Sequence, residues 1–186
     1  MSIAAAKAEA RERAFARRKA AHATHAGAAA SALRAHLAGT EGRVIAGYLP
    51  IRTEADPLPA MTALCERNRI AVPVVVARGA PLAFREWRPG TPLERGTFGV
   101  MVPVAGADLV PDLIIAPLLA FDGRLFRLGY GGGFYDRTLE QLRARGPVDV
   151  LGFAYEAQRD DALPLEPTDQ PLDALVTERG MFPRRP

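Results

Sequence analysis

The chain has 186 residues, 48% hydrophobic and 24% charged, the balance of a soluble globular protein rather than a disordered or fibrous one. Its apolar runs reach about nine residues, half of what a membrane span requires, and a lone cysteine, Cys65, excludes an internal disulfide and suits a reducing cytoplasm. The net charge of +3 gathers at one end, where residues 1–20 hold six Lys/Arg against two Glu. Glu9 and Glu12 argue against an organelle leader, and Phe15 alone among those charges is too little aromatic surface for a nucleic-acid arm.

In chain order, residues 4–23 are helical by propensity, rich in Ala, Arg, Lys and Glu. Lys7 and Arg11, four apart, share one face of that helix. Gly27 loosens the pattern, and residues 31–38 predict a second helix with Leu33 and Leu37 inward. Residues 44–49 read as the first strand, broken by Pro50, with Glu54 in the loop beyond it. A helix over 57–68 buries Leu58, Met61, Leu64 and Cys65. Strands follow at 71–77 and 82–87, then a loop-rich stretch over 89–111 with short extended pieces. Residues 113–121 form the best central strand, a helix runs from the Tyr135 region to about Arg145, and late strands fall at 148–155 and 174–177. Strands alternating with helices predict an α/β fold with a mainly parallel sheet, and with no repeat or low-complexity linker the chain reads as one domain, 1–186.

The most informative run is Arg127-Leu128-Gly129-Tyr130-Gly131-Gly132-Gly133-Phe134-Tyr135-Asp136. So many glycines let backbone N–H groups turn toward a ligand. A strand, a glycine loop and a helix start together aim those donors and a positive dipole end at an anion. Arg127 adds a fork suited to phosphate oxygens, and Asp136 a carboxylate of the kind Mg²⁺ prefers. The run predicts a nucleotide-phosphate site. It is neither a Walker A loop, having no Gly-Lys-Ser/Thr, nor a dinucleotide fingerprint, since Phe134 stands where the last glycine belongs.

These residues resemble the signature of the 5-formyltetrahydrofolate cyclo-ligase (methenyltetrahydrofolate synthetase) family, Arg-Leu-Gly-Tyr-Gly-x-Gly-Phe-Tyr-Asp-Arg, at Arg127 to Arg137. Lys7-x-x-x-Arg11, the Tyr48-Leu-Pro…Glu54 segment, the apolar run from Leu113 to Asp122, and Asp169…Asp173…Glu178 resemble further family segments in the same order. The resemblance implies a three-layer α/β/α fold of the NagB/RpiA/CoA-transferase-like group. It implies ATP- and Mg²⁺-dependent closure of 5-formyltetrahydrofolate to 5,10-methenyltetrahydrofolate by a monomeric cytoplasmic enzyme, with those two small molecules as its partners.

By the same resemblance, ATP is held by Lys7, Arg11 and the loop Arg127, Leu128, Gly129, Tyr130, Gly131, Gly132, Gly133, Phe134 and Tyr135, with Arg127 as the catalytic residue. The folate contacts Leu49, Glu54, Tyr130, Gly131, Gly132, Gly133 and Phe134, and Mg²⁺ binds Asp136 and Asp169. Read from the residues alone, Asp136 also suits the helix dipole, and Tyr48 suits the core as well as a pocket wall. Gly132 stands where many members carry lysine, which leaves Lys7, Arg11 and Arg127 to neutralise phosphate. Leu125 stands where a glycine is common, implying a different turn after Asp122. Two other classes remain open at this point: a sugar-phosphate isomerase or acyl-CoA-type enzyme, needing a catalytic carboxylate such as Asp122 near the loop, and an RNA-binding module led by the basic N-terminus.

Overall fold

The computed structural model describes residues 2–184. Its helices are α1 (Ile3–Leu37), α2 (Leu58–Leu64) and α3 (Phe134–Arg145). Its strands are β1 (Val44–Ala46), β2 (Arg69–Val74), β3 (Ala83–Glu86), β4 (Leu93–Arg95), β5 (Met101–Pro103) and β6 (Leu113–Pro117), followed by β7 (Ala120–Phe121), β8 (Arg127–Leu128), β9 (Asp149–Phe153), β10 (Ala174–Thr177) and β11 (Gly180–Pro183).

Seven strands form the central sheet in the order β11-β10-β9-β6-β1-β2-β3. The inner five are parallel, and β3 and β11 close the edges antiparallel. From β1 the chain passes through α2 to β2, on one side. From β6 it passes through α3 to β9, on the other. Crossovers of one hand running in opposite directions put their helices on opposite faces. They also leave a crevice between the carboxyl ends of β1 and β6, the topological switch point where open α/β sheets bind ligands.

Strand β6 shows why the sheet is covered twice. Ile114 and Ile115 point to opposite faces, and both are fully buried. Ile115 joins Leu33 and Leu37 of α1 and Met61 and Leu64 of α2 in one core. Ile114 joins Leu139 and Leu142 of α3 in the other. The predicted parallel α/β architecture, with helices on both faces of the sheet, is therefore what the chain forms.

Beyond end shifts of a few residues, as at β1, α2 and β2, the elements differ from expectation in four places. The two predicted N-terminal helices are one continuous α1, and Gly27 sits inside it with nothing within 4 Å of where its Cβ would lie. A glycine costs a helix about 1 kcal/mol, and packing of Ala21, Ala29, Leu33 and Leu37 on the sheet outweighs that. The predicted central strand stops at Pro117; β7 leaves the sheet and pairs antiparallel with β8 as a separate ribbon. The region 89–111 contains a hairpin, β4 with β5, and β11 lies beyond the last predicted strand.

Leu125 turns the β7–β8 ribbon at φ 61°, a left-handed backbone that glycine adopts freely and leucine does not. The turn therefore holds a glycine-like conformation with a leucine in it, and the side chain is buried in the α3-side core. Leu125→Gly should relieve about 1–2 kcal/mol of backbone strain but forfeit leucine burial, about 2–5 kcal/mol. A lower Tm is expected in thermal unfolding. A Tm at or above wild type would mean that strain dominates.

Candidate active site

The switch-point crevice opens into a cavity of about 810 Å³, toward the upper end of the range for small-molecule sites. Tyr48, Leu49, Ile51 and Glu54, following β1, line one side, and the β8–α3 loop from Arg127 to Asp136 lines another. Lys7 and Arg11 reach it from α1, and Glu166, Thr168 and Asp169 from the C-terminal loop. Every residue expected to bind ATP, folate or metal thus borders a single cavity.

The glycine loop owes its shape to two residues. Gly131 and Gly133 have φ of 101° and 64°, values at which a side chain is strained. Gly133 is also the N-cap of α3 and offers no capping side chain, so the first-turn N–H groups are left without a side-chain acceptor at the cavity wall. At Gly132 the backbone is ordinary, but an added Cβ would meet the Phe134 ring at 2.6 Å. A larger residue there requires that ring to rotate away.

The cations have distinct surroundings. Arg11 Nε donates to the Gly129 carbonyl at 2.9 Å, setting its guanidinium over the loop near Gly131. Arg127 is buried. Its Nη2 pairs with Asp136 Oδ1 at 3.0 Å and its Nη1 donates to the Gln170 carbonyl at 2.8 Å. Burial pulls its pKa down, with Asp136 acting against that. Arg127 thus organises the helix start and the 170 loop as much as it faces the cavity. Lys7 Nζ donates to Asp169 at 2.7 and 2.9 Å and to Glu166 at 2.7 Å. Burial works against the ammonium, but those two carboxylates outweigh it and hold its pKa above the usual lysine value.

Asp136 accepts the Gln170 N–H at 2.9 Å through the same Oδ1 that meets Arg127, leaving Oδ2 for a ligand. Asp169 carries Lys7 on both oxygens. Among the described residues no group of three His, Cys, Asp or Glu could form a protein-only metal cage. Asp136 Oδ2 suits Mg²⁺, which keeps waters and needs few carboxylates, while Asp169 would join it only by giving up Lys7, which holds both of its oxygens; two carboxylates do not fit zinc.

Glu54 is 5% exposed and its Oε2 accepts the Ile51 N–H at 2.9 Å. Burial pushes its pKa up, while the Ile51 hydrogen bond and Arg18 pull it down. Tyr48 donates to the Ala55 carbonyl at 2.6 Å, fixing the Glu54 loop; it is core and pocket wall together. The Tyr135 hydroxyl is buried with no hydrogen-bond partner, and burial raises its pKa.

Several site residues escaped the sequence reading. Phe98, at the hairpin tip between β4 and β5, is exposed, packs 6.0 Å from Phe134 and lines the cavity. Arg137 stacks over Phe134 at 5.5 Å. Glu166 meets Lys7, and Arg18 is buried between the two ligand-facing loops. The helical spacing of Lys7, Ala10, Ala14, Arg18 and Ala21, all buried on α1, was a usable signal for Arg18; nothing marked Phe98.

Asp122 is not a free acid. It accepts the Arg124 and Phe126 N–H groups at 3.0 and 2.9 Å and holds the ribbon turn, so the isomerase reading loses its candidate carboxylate. Cys65 is only partly buried, its Sγ donating to the Met61 carbonyl at 3.2 Å.

The fold and cavity define an α/β protein with a glycine loop lining a cavity at a sheet switch point. Residues 3–178 match the model of the 5-formyltetrahydrofolate cyclo-ligase family, and the chain belongs to that family. It is 33% identical to the 5-formyltetrahydrofolate cyclo-ligase of Mycolicibacterium smegmatis, over 84% of this chain and 86% of that one. It is 41% identical to that of Haemophilus influenzae over a shorter stretch, 51% of this chain and 54% of that protein. The solution structure of Aquifex aeolicus 5,10-methenyltetrahydrofolate synthetase superposes with a TM-score of 0.79 at 27% identity, covering 97% of this chain and 93% of that one.

Proposed function

We propose that the protein is an ATP- and Mg²⁺-dependent 5-formyltetrahydrofolate cyclo-ligase, a monomeric cytoplasmic enzyme in which the single cavity holds both substrates. The observation that carries this reading is that Glu54 and the glycine loop, far apart in sequence, line the same cavity at the switch point. No helix among the described residues is long and apolar enough to cross a membrane.

The chemistry needs a better leaving group than a formamide oxygen. That oxygen attacks the γ-phosphorus, ADP departs, and the carbon becomes an imidate phosphate. N10 then attacks the carbon, phosphate leaves with the former formyl oxygen, and the N10 proton is lost. The chain's task is positioning and charge neutralisation rather than strong base catalysis. The loop and α3 N–H groups, Arg11 and Lys7 receive the phosphates. Arg127 holds the loop and Asp136 in place. Glu54 accepts the paired donors of the pterin edge, Leu49 lines the pterin side, and Phe98, Phe134 and Tyr130 offer ring faces. Asp136 and Asp169 are the residues that would hold Mg²⁺, which when bound supplies charge neutralisation at the phosphates.

The reading is tested by mixing protein, Mg-ATP and 5-formyltetrahydrofolate and following the absorbance of methenyltetrahydrofolate. Growth that requires all three supports it. No product, with steeply salt-dependent RNA binding instead, would favour the RNA-binding alternative.

A metal role for the two aspartates has its own consequence. Asp169→Asn and Asp136→Asn should each raise the Mg²⁺ concentration for half-maximal turnover several-fold. Each variant also takes a carboxylate from a buried cation, Arg127 for Asp136→Asn and Lys7 for Asp169→Asn, so Tm is measured for both. A lower Tm with unchanged Mg²⁺ dependence would return Asp136 to a purely structural role.

A further inference from the structure

Arg18 of α1 is fully buried and has no part in the phosphate or pterin contacts above. Its guanidinium sits where three segments meet. Nε donates to Thr53 Oγ1 at 3.2 Å, on the Glu54 loop. Nη2 donates to the Tyr130 hydroxyl at 2.7 Å, in the glycine loop. The rings of Phe15 and Tyr130 lie 5.5 and 5.4 Å from its central carbon and fix the fork. The last amino group, Nη1, is buried without a hydrogen-bond partner and stands 3.9 Å from Glu54 Oε1.

Packing alone does not account for this arrangement, because an apolar side chain of similar length would fill the space without desolvating a charge. Nη1 stops about 1 Å short of a hydrogen bond to Glu54. Two states are therefore available, with that bond open, as observed, or made. Tyr130 is 41% exposed at the cavity, and Arg11 grips the adjacent Gly129 carbonyl. Phosphates that draw the glycine loop inward carry the Tyr130 hydroxyl with it. The planar guanidinium passes that displacement from Nη2 to Nη1 and so to the Glu54 carboxylate.

We propose that Arg18 is a positioning residue coupling the two ligand subsites, so that filling the glycine-loop side sets Glu54 for the pterin. This rests on the folate and ATP reading given above. Coupling is reciprocal, so bound folate tightens the nucleotide by the same factor.

The test first establishes turnover by the wild-type protein. Calorimetry then measures 5-formyltetrahydrofolate affinity alone and with a saturating, non-hydrolysable Mg-ATP analogue. Wild type should bind folate at least about fivefold tighter with the analogue present. Arg18→Lys keeps the charge without the fork. Tyr130→Phe keeps the ring and removes the hydroxyl, which accepts from Nη2 and also lies within reach of Glu54 itself; the position is exposed, which keeps a folded variant in hand. Both should bring the affinity ratio to about one; Arg18→Lys should do so while each ligand still binds alone, whereas for Tyr130→Phe, which lies in the pocket wall, only the ratio is read. A merely structural role would lower Tm and weaken both ligands but keep the ratio, and a ratio kept in Arg18→Lys overturns the proposal, whether or not Tyr130→Phe loses it, because coupling would then pass from Tyr130 to Glu54 directly. Wild type that turns over with no coupling overturns it too, leaving the function intact. Wild type without turnover overturns the functional reading, and the coupling with it.

Discussion

Arg127→Ala is expected to lower kcat/KM by at least about tenfold, equivalent to 1.4 kcal/mol or more of transition-state stabilisation, and to reduce Tm as well. The buried guanidinium joins three parts of the site: it pairs with Asp136, supports the Gln170 carbonyl and opens the glycine loop. Removing it leaves Asp136 without its partner and the Gln170 carbonyl without its donor, a loss of about 1–3 kcal/mol. Arg127→Lys separates the two effects, since it restores the charge but not the two-pronged contact. Lysine should recover much of the stability and little of the turnover. If alanine gives wild-type kinetics at a temperature where it is folded, the phosphate site lies elsewhere.

Glu54→Gln should raise the KM for 5-formyltetrahydrofolate about ten- to a hundredfold, the equivalent of roughly 1–3 kcal/mol for leaving pterin donors unpaired. ATP binding to the folate-free protein should be unchanged. Burial raises the Glu54 pKa in the folded protein, so its ionised form costs stability at pH above that folded value, a cost that falls away as the pH drops and the group protonates. A neutral glutamine removes that cost but leaves the fully buried Arg18 without its counter-ion, so Tm is measured alongside and folate binding is compared at a temperature where the variant is folded. Lost ATP affinity with folate affinity retained would show that the two ligands are the other way round.

How much of this was legible in the sequence follows from which signals are local. The glycine run, its flanking Arg127 and Asp136 and the in-order family segments identified the cavity's lining before any fold was known. The apolar runs at 44–49 and 113–121 pointed to the parallel strands that carry it, because strands covered on both faces are apolar throughout, although the strands themselves end at Ala46 and Pro117. Pairings between distant segments were not legible. That Lys7 would meet Glu166 and Asp169, or Arg18 the Glu54 loop, depends on how α1 lies across the sheet. The buried positions of its first six turns are Lys7, Ala10, Ala14, Arg18 and Ala21, so no hydrophobic stripe announced that part of it. Phe98 was hidden for a different reason: it is exposed at the tip of a short hairpin and gains a role only by its position over the cavity.

Phosphorylation of the formyl oxygen in the cavity shared by Glu54 and the glycine loop leaves an isotopic signature. When 5-formyltetrahydrofolate carrying ¹⁸O in the formyl group is turned over with unlabelled Mg-ATP in unlabelled water, the inorganic phosphate released should carry the ¹⁸O, one label for each methenyltetrahydrofolate formed. Unlabelled phosphate, with the ¹⁸O recovered in water, would contradict it.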